Sequence, residues 1–196
     1  GHWYYTGQVA STWNLKDITD PMEILKAELR PSYYRGEWLA GFGWDENKWP
    51  ANFQIHTRFL DQLSHNYPIH LSRTDGHASW VNSKALEILN FEKGTNGVVV
   101  DKNGQPTGHL KEAAHMRALH SLPDYSFEQK KEFLLKGADI FNQAGFTHIR
   151  EMTSNPDQWS LNLELLDQRD FILHVEHWFV CEAVASLKEL IKSVQQ

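Results

Sequence analysis

From Ser126 onward the chain alternates helix, strand, helix, strand, helix, and this rhythm restricts the fold more than any other feature. Ser126 and Gln129 form a capping box. Phe127, Phe133, Leu134, Ala138 and Phe141 recur along the helix that follows, and Gly145 is placed to end it. Phe146–Met152 reads as a strand. Asn155-Pro156-Asp157-Gln158 then caps a helix carrying Leu161, Leu163, Leu165 and Leu166. Phe171–Val180 reads as the next strand and Ala183–Val194 as the next helix. Strands joined through helices pair in parallel, with right-handed crossovers. The two strands are therefore expected to be parallel neighbours.

The preceding two-thirds is less regular and rich in turns. Asp20, Pro21 and Glu23 read as the start of a helix running to about Arg30, where Pro31 stops it. A strand over Glu37–Phe42 leads into the corner Gly43-Trp44-Asp45. Phe53–His65 reads as helix and Ile69–Arg73 as a short strand. Val98–Asp101 and Pro106–Leu110 flank Asn103-Gly104, which predicts a hairpin with a type I′ turn. A helix is expected from near Lys111.

The charge balance excludes one class of partner. Net charge is −6 with no basic run, so nucleic acid is not expected. No apolar stretch reaches the ~18 residues of a membrane span. Cys181 is the single cysteine, which precludes an internal disulfide and fits a reducing, cytoplasmic compartment. A leader lost ahead of Gly1-His2 stays open.

The richest chemistry lies in RTDGHASWVNSKAL, residues 73–86. Gly76 permits a tight turn that presents Asp75 and His77 together. Asn82 and Ser83 are N-cap residues for the helix that Lys84–Leu89 predicts. This block, with GWDENKWP (43–50), TRFLD (57–61) and GQPTGHLKEAA (104–114), resembles amidohydrolase family 3. That family is a branch of the metal-dependent amidohydrolases and includes N-substituted formamide deformylase.

The resemblance implies an α/β fold: part of a (β/α)8 (TIM) barrel with an inserted α+β subdomain. Residues 1–19 would hold the end of the first barrel strand and a lead-in. Residues 20–112 would form the insertion between that strand and its helix. Residues 113–196 would carry the second and third strands, Phe146–Met152 and Phe171–Val180, with their helices. Arg150 and Glu151 stand where a basic residue and an aspartate are common. His2 would be the second histidine of the family's His-x-His and a metal ligand. The strands beyond these normally bring the other ligands. The chain is thus expected to be a fragment, inactive and without tightly bound metal by itself. The intact enzyme would use a divalent ion, expected to be zinc, to activate water against amide or formamide C–N bonds of a small-molecule substrate. An open parallel edge in such a fragment implies self-association into a homo-oligomer.

Site residues follow from turn and resemblance together. His77 would bind substrate or polarise its carbonyl, and Asp75 would orient His77. Glu112 is either a cap for the helix dipole or an active-site carboxylate. Trp44 and Asp45, with Trp49, would shape the insertion wall and meet substrate. Arg73 would pair with Asp75 or Asp45 structurally. His174 and His177 lie three apart on a strand and face opposite ways. His174 and Glu176 would line the barrel interior, while Leu173, Val175 and His177 would meet the helices. His56, His65, His70, His109, His115, His120 and His148 show no metal-ligand spacing. His56 also replaces a proline common before the TRxxLD block. The eight tryptophans leave an alternative: a non-catalytic, tryptophan-rich module that binds a small molecule or carbohydrate. A purely structural domain is a third reading.

Overall fold

The computed structural model describes residues 2–154, 156–166 and 173–179. In chain order the elements are α1 (His2–Ser11), β1 (Trp13–Asn14), α2 (Met22–Leu25), β2 (Tyr34–Arg35), β3 (Trp38–Trp44), α3 (Thr57–Leu63), β4 (Ile69–Arg73), β5 (Ala78–Val81), α4 (Ser83–Leu89), β6 (Val98–Val100), β7 (Pro106–Lys111), α5 (Glu112–His120), α6 (Phe127–Gln143), β8 (His148–Ser154), α7 (Pro156–Leu166) and β9 (His174–Phe179). They divide into two compact units. One is Thr12–Tyr125. The other joins Gly1–Ser11 to Ser126–Gln196. The fold is mixed α/β, and no helix among the described residues is long and apolar enough to cross a membrane.

The Thr12–Tyr125 unit is built on a mixed sheet of order β1-β3-β4-β5-β7-β6, with β2 paired to β3. β1, β3 and β4 run parallel, while β4, β5, β7 and β6 pair antiparallel. Alternation along each strand sends side chains to two apolar layers. Leu39, Leu71 and Trp80 join Ile24 of α2 and Leu60 of α3 in one layer. Trp38, Val81 and Leu110 join Ala85 and Leu89 of α4 and Ala114 and Ala118 of α5 in the other.

Asn82 ties this unit together. It is fully buried, and its Oδ1 accepts from the N–H of Ala85 at 3.0 Å, capping α4, and from the N–H of Ile69 at 2.9 Å. Its Nδ2 donates to the carbonyls of Ser64 and Tyr67, both at 3.0 Å. Replacing Asn82 by alanine strips partners from four backbone groups at once. Asn82→Ala is expected to lower stability by more than about 3 kcal/mol. Urea unfolding checks it, and a loss under about 1 kcal/mol would mean water replaces these bonds at little cost.

Three local expectations change on folding. The helix from Asp20 stops at Leu25, although Asp20 does cap it, accepting from the N–H of Met22 at 2.9 Å. From its last residue onward Leu25, Ala27 and Leu29 pack on the core at every second residue, a spacing that one helix face does not follow. The 98–110 hairpin forms without a type I′ turn: of the pair Asn103-Gly104 only Gly104 takes a positive φ, +76°. Asp101 Oδ1 instead accepts from Asn103 and Gln105, closing a longer loop. His56 substitutes for the expected proline by capping α3, its Nδ1 accepting from the N–H of Arg58 at 3.3 Å.

In the second unit, His2 opens a helix and does not end a strand. Two features favour helix there. The Glu151 carboxylate accepts from the N–H of Trp3 at 3.0 Å, placing negative charge at the helix N-terminus. Gly7 and Gly137 let α1 and α6 approach closely. Trp3, Leu134, Ala138, Leu161, Leu165, Leu173 and Val175 form the core of this unit. α6 carries the expected capping box at Ser126 and Gln129. Gly145 ends it with φ +87°, its N–H and that of Phe146 donating to Asn142 and Phe141. β8 and β9 are parallel neighbours, His148 opposite His174 and Glu151 opposite His177. Cys181 and the helix expected over Ala183–Val194 lie outside the described residues.

Candidate functional site

The Asp75-Gly76-His77 turn joins two antiparallel central strands, β4 and β5. Gly76 sits at φ +74°, which glycine adopts without strain. Asp75 Oδ1 accepts from the N–H of His77 at 3.0 Å, and its other oxygen pairs with Arg73. Arg73 also bonds Glu46 through Nε at 2.6 Å and lies 3.9 Å from Asp45. The arginine therefore braces the turn against the segment after β3. Burial works against ionising Asp75, but the His77 amide and the Arg73 guanidinium outweigh it and hold its pKa below the ordinary value.

Antiparallel pairing sets the partner of the turn. Ala78 lies opposite Lys111, so His77 falls opposite Glu112, and the Glu112 N–H donates to the His77 carbonyl at 2.9 Å. Glu112 takes a left-handed φ of +44°, a conformation that costs a side-chain-bearing residue about 1–3 kcal/mol. That backbone directs its carboxylate to His77, Oε2 standing 3.3 Å from Nδ1. Both side chains are exposed. The structure thus brings together His77, Asp75 and Glu112 from separate sequence blocks.

The other expected site residues lie elsewhere. Trp44 is buried in the core, its Nε1 donating to the Leu71 carbonyl at 2.7 Å and its ring stacked on Trp49. It has no face open to a ligand. Asp45 caps the turn Glu46–Lys48, accepting from Asn47. Trp13, Trp38, Trp49 and Trp80 are buried as well, so this unit carries no tryptophan surface for a binding module. In the other unit, His174 and Glu176 share the exposed face of β9 with Trp178. Glu176 pairs with Arg150 at 2.8 Å, and the His174 ring lies 5.1 Å from that of His148. The opposite face buries Leu173 and Val175, and His177 bonds Asn162 of α7 at 2.8 Å. His2 lies in α1. Among the described residues no three His, Cys, Asp or Glu side chains converge as a metal site.

Sequence spacing missed a buried relay beneath the turn. Ser79 Oγ lies 2.7 Å from His70 Nε2 and 2.5 Å from His115 Nδ1. Its one available signal was Glu112 and His115 standing three apart on a helix. Burial drives the His70 pKa down to about 3, with the charges of His115 and Arg35 adding to it. Burial likewise lowers His109 to about 4. These rings stay neutral in the fold, while in the unfolded chain they titrate near 6.5. Between those values the unfolded state binds more protons, so stability falls as pH drops below about 6.5 and the loss levels off below about 3. His70 alone contributes a slope of about 1.4 kcal/mol per pH unit in that window. Urea midpoints from pH 7 to 4 should decline, and His70→Gln should flatten the decline. A midpoint independent of pH would show these rings charged in the fold.

A family profile described as "Amidohydrolase family" matches residues 5–196. The chain belongs to the amidohydrolase family. It is 34% identical over 120 residues to "Putative amidohydrolase YtcJ" of Bacillus subtilis (strain 168), a match covering 58% of this chain and 23% of that protein. It is 27% identical over 122 residues to "Protein LONG AFTER FAR-RED 3" of Arabidopsis thaliana, covering 60% and 21%. This amidohydrolase chain thus spans under a quarter of the length of those curated relatives. Among solved structures it resembles metal-dependent hydrolases from Pyrococcus furiosus (TM-score 0.65, 19% identity) and Pyrococcus horikoshii OT3 (TM-score 0.67, 18% identity). Each likeness covers 96% of this chain, and 38% and 37% of those chains respectively. At such identity these likenesses speak to the fold.

Proposed function

We propose that this chain is part of a metal-dependent hydrolase that cleaves non-peptide C–N bonds, of formamide or related amide type, in small molecules. The observation that carries the reading is the family match over residues 5–196. In this reading β8 and β9 are strands of a (β/α)8 barrel, and residues 20–112 are an insertion that presents the site. The ion, which we take to be zinc, would supply an activated water. The described residues do not themselves make up its ligand set, whatever part His2 has in it. The chain by itself is accordingly proposed to be inactive, to hold no metal tightly and to self-associate. A cytoplasmic setting is proposed on the single cysteine.

The contribution of this chain is acid–base. Glu112 accepts from His77 Nδ1–H, which leaves Nε2 exposed to a substrate. From there Nε2, which carries only a lone pair in this tautomer, takes a proton from the attacking water and hands it to the departing amine, and C–N cleavage needs that proton. Asp75 and Arg73 hold the turn in place. His174 and Glu176 are proposed to line the barrel, and Asp45 to help brace the wall.

The test uses the full-length protein that carries this chain, with an N-alkylformamide and an unactivated anilide as probes. Amine release should be abolished by dialysis against a chelator and restored by zinc. Absence of amine release from either probe with zinc present would overturn the proposed substrate class.

A further inference from the structure

His148 opens β8 and His174 opens β9, and the parallel register sets them directly opposite each other. Adjacent strands lie about 4.8 Å apart and opposed residues share a face, so both rings rise from one side of this strand pair. Both residues are exposed. Their ring centres are 5.1 Å apart, with the planes tilted by 48°.

That spacing is the one a shared metal ion imposes. An imidazole nitrogen binds zinc at about 2.1 Å with the ring centre about 1.1 Å behind it, so two rings at the tetrahedral angle of about 109° have centres about 5.2 Å apart. The nitrogens suit this arrangement. Thr147 Oγ1 lies 3.0 Å from His148 Nδ1, while Nε2 has no hydrogen bond among the described residues. An ion on Nε2 leaves the ring hydrogen on Nδ1, where the threonine oxygen accepts it, and metal-bound histidines are commonly held in this way. The His174 ring makes no hydrogen bond among the described residues, so its nitrogens are open to an ion. Arg150 and Glu176, the next residues along this face, pair with each other at 2.8 Å and so present no net charge against a cation.

We propose that His148 and His174 form a two-histidine site for a divalent ion that favours imidazole, zinc being the natural probe, and that the ion clips the starts of β8 and β9 together. Two strands alone pair only marginally, and an ion bound across them adds its binding free energy to their pairing. The chemistry of a (β/α)8 barrel gathers at the other end, where the strands finish. Two protein ligands leave the remaining positions to water, so the ion exchanges readily and dialysis removes it.

Zinc titration of the 196-residue chain, followed through its histidine ring resonances, tests this. The His148 and His174 resonances should move together along one isotherm, ahead of those of His65, an exposed histidine of the other unit. The midpoint should not depend on chain concentration. His174→Gln should raise the zinc needed at His148 at least about tenfold, and His148→Gln should do the same at His174. Both side chains are exposed, so neither variant should disturb the fold. The His174 N–H donates to the Thr147 carbonyl at 2.8 Å. Zinc that saturates the wild type should slow exchange of this amide there and leave it unchanged in His148→Gln. Two rings that stay still, separate isotherms for the two, or wild-type affinity at His148 in His174→Gln would leave only an aromatic contact and overturn the proposal. A midpoint that shifts with chain concentration would mean that the ion bridges two copies, and would overturn it as well.

Discussion

Replacing His77 by alanine in the full-length protein is expected to lower turnover about 10²–10⁴-fold while leaving the urea midpoint within about 0.5 kcal/mol of wild type. The two halves of this expectation have separate causes. His77 is exposed, so truncating it opens no cavity and strands no core group. The Arg73–Asp75 pair and the Asp75 bond to the residue-77 amide both survive the substitution. Its imidazole, however, is the group whose Nδ1 faces the Glu112 carboxylate at 3.3 Å. Glu112 is held for that contact by a left-handed backbone at φ +44°, a strain that packing alone does not require of an exposed side chain. Steady-state kinetics beside urea unfolding give the answer. Unchanged turnover in a folded variant would reduce His77 to an ornament of the turn, and the acid–base reading would go with it.

Gly7→Ala is expected to cost about 3 kcal/mol or more, concentrated in the unit formed by α1 and residues 126 onward. A Cβ on Gly7 would stand 1.6 Å from the Phe133 carbonyl oxygen and 2.7 Å from the Gly137 amide nitrogen. Both obstacles are backbone, so no rotamer change relieves them. α1 and α6 must move apart, which loosens Trp3 from Leu134 and breaks the 2.7 Å bond from its indole N–H to the Leu134 carbonyl. The Trp3 amide would also draw away from Glu151. Hydrogen exchange should report the loss along α1 and α6, with the Asn82-centred hydrogen bonds of the other unit keeping their protection. Wild-type stability for Gly7→Ala would mean that the helices sit farther apart than this structure has them.

The contrast between two helix ends shows where local reading is sufficient. Ser126, Gln129 and Gly145 act through atoms within a few residues of themselves, so α6 and its stop were legible from the sequence. Asn82 capped its helix for the same reason. The helix from Asp20 began as read but ended early, because Leu25, Ala27 and Leu29 answer to a core made by distant strands. His2 was misread as a strand end because the groups favouring helix there, Glu151 and the backbone at Phe133, are more than a hundred residues away.

The same division runs through the candidate site. By itself the sequence determined the family, the parallel pairing of the two late strands and the exposed Asp75-Gly76-His77 turn, since these follow from short motifs and from side-chain alternation. Only the tertiary structure decided that Trp44 is core, that Glu112 meets His77, and that Ser79 links His70 to His115. Those outcomes depend on the register of β5 against β7 and on which face of the sheet is covered. Register places residues 35 apart within hydrogen-bonding distance, and no pattern confined to one segment carries that information.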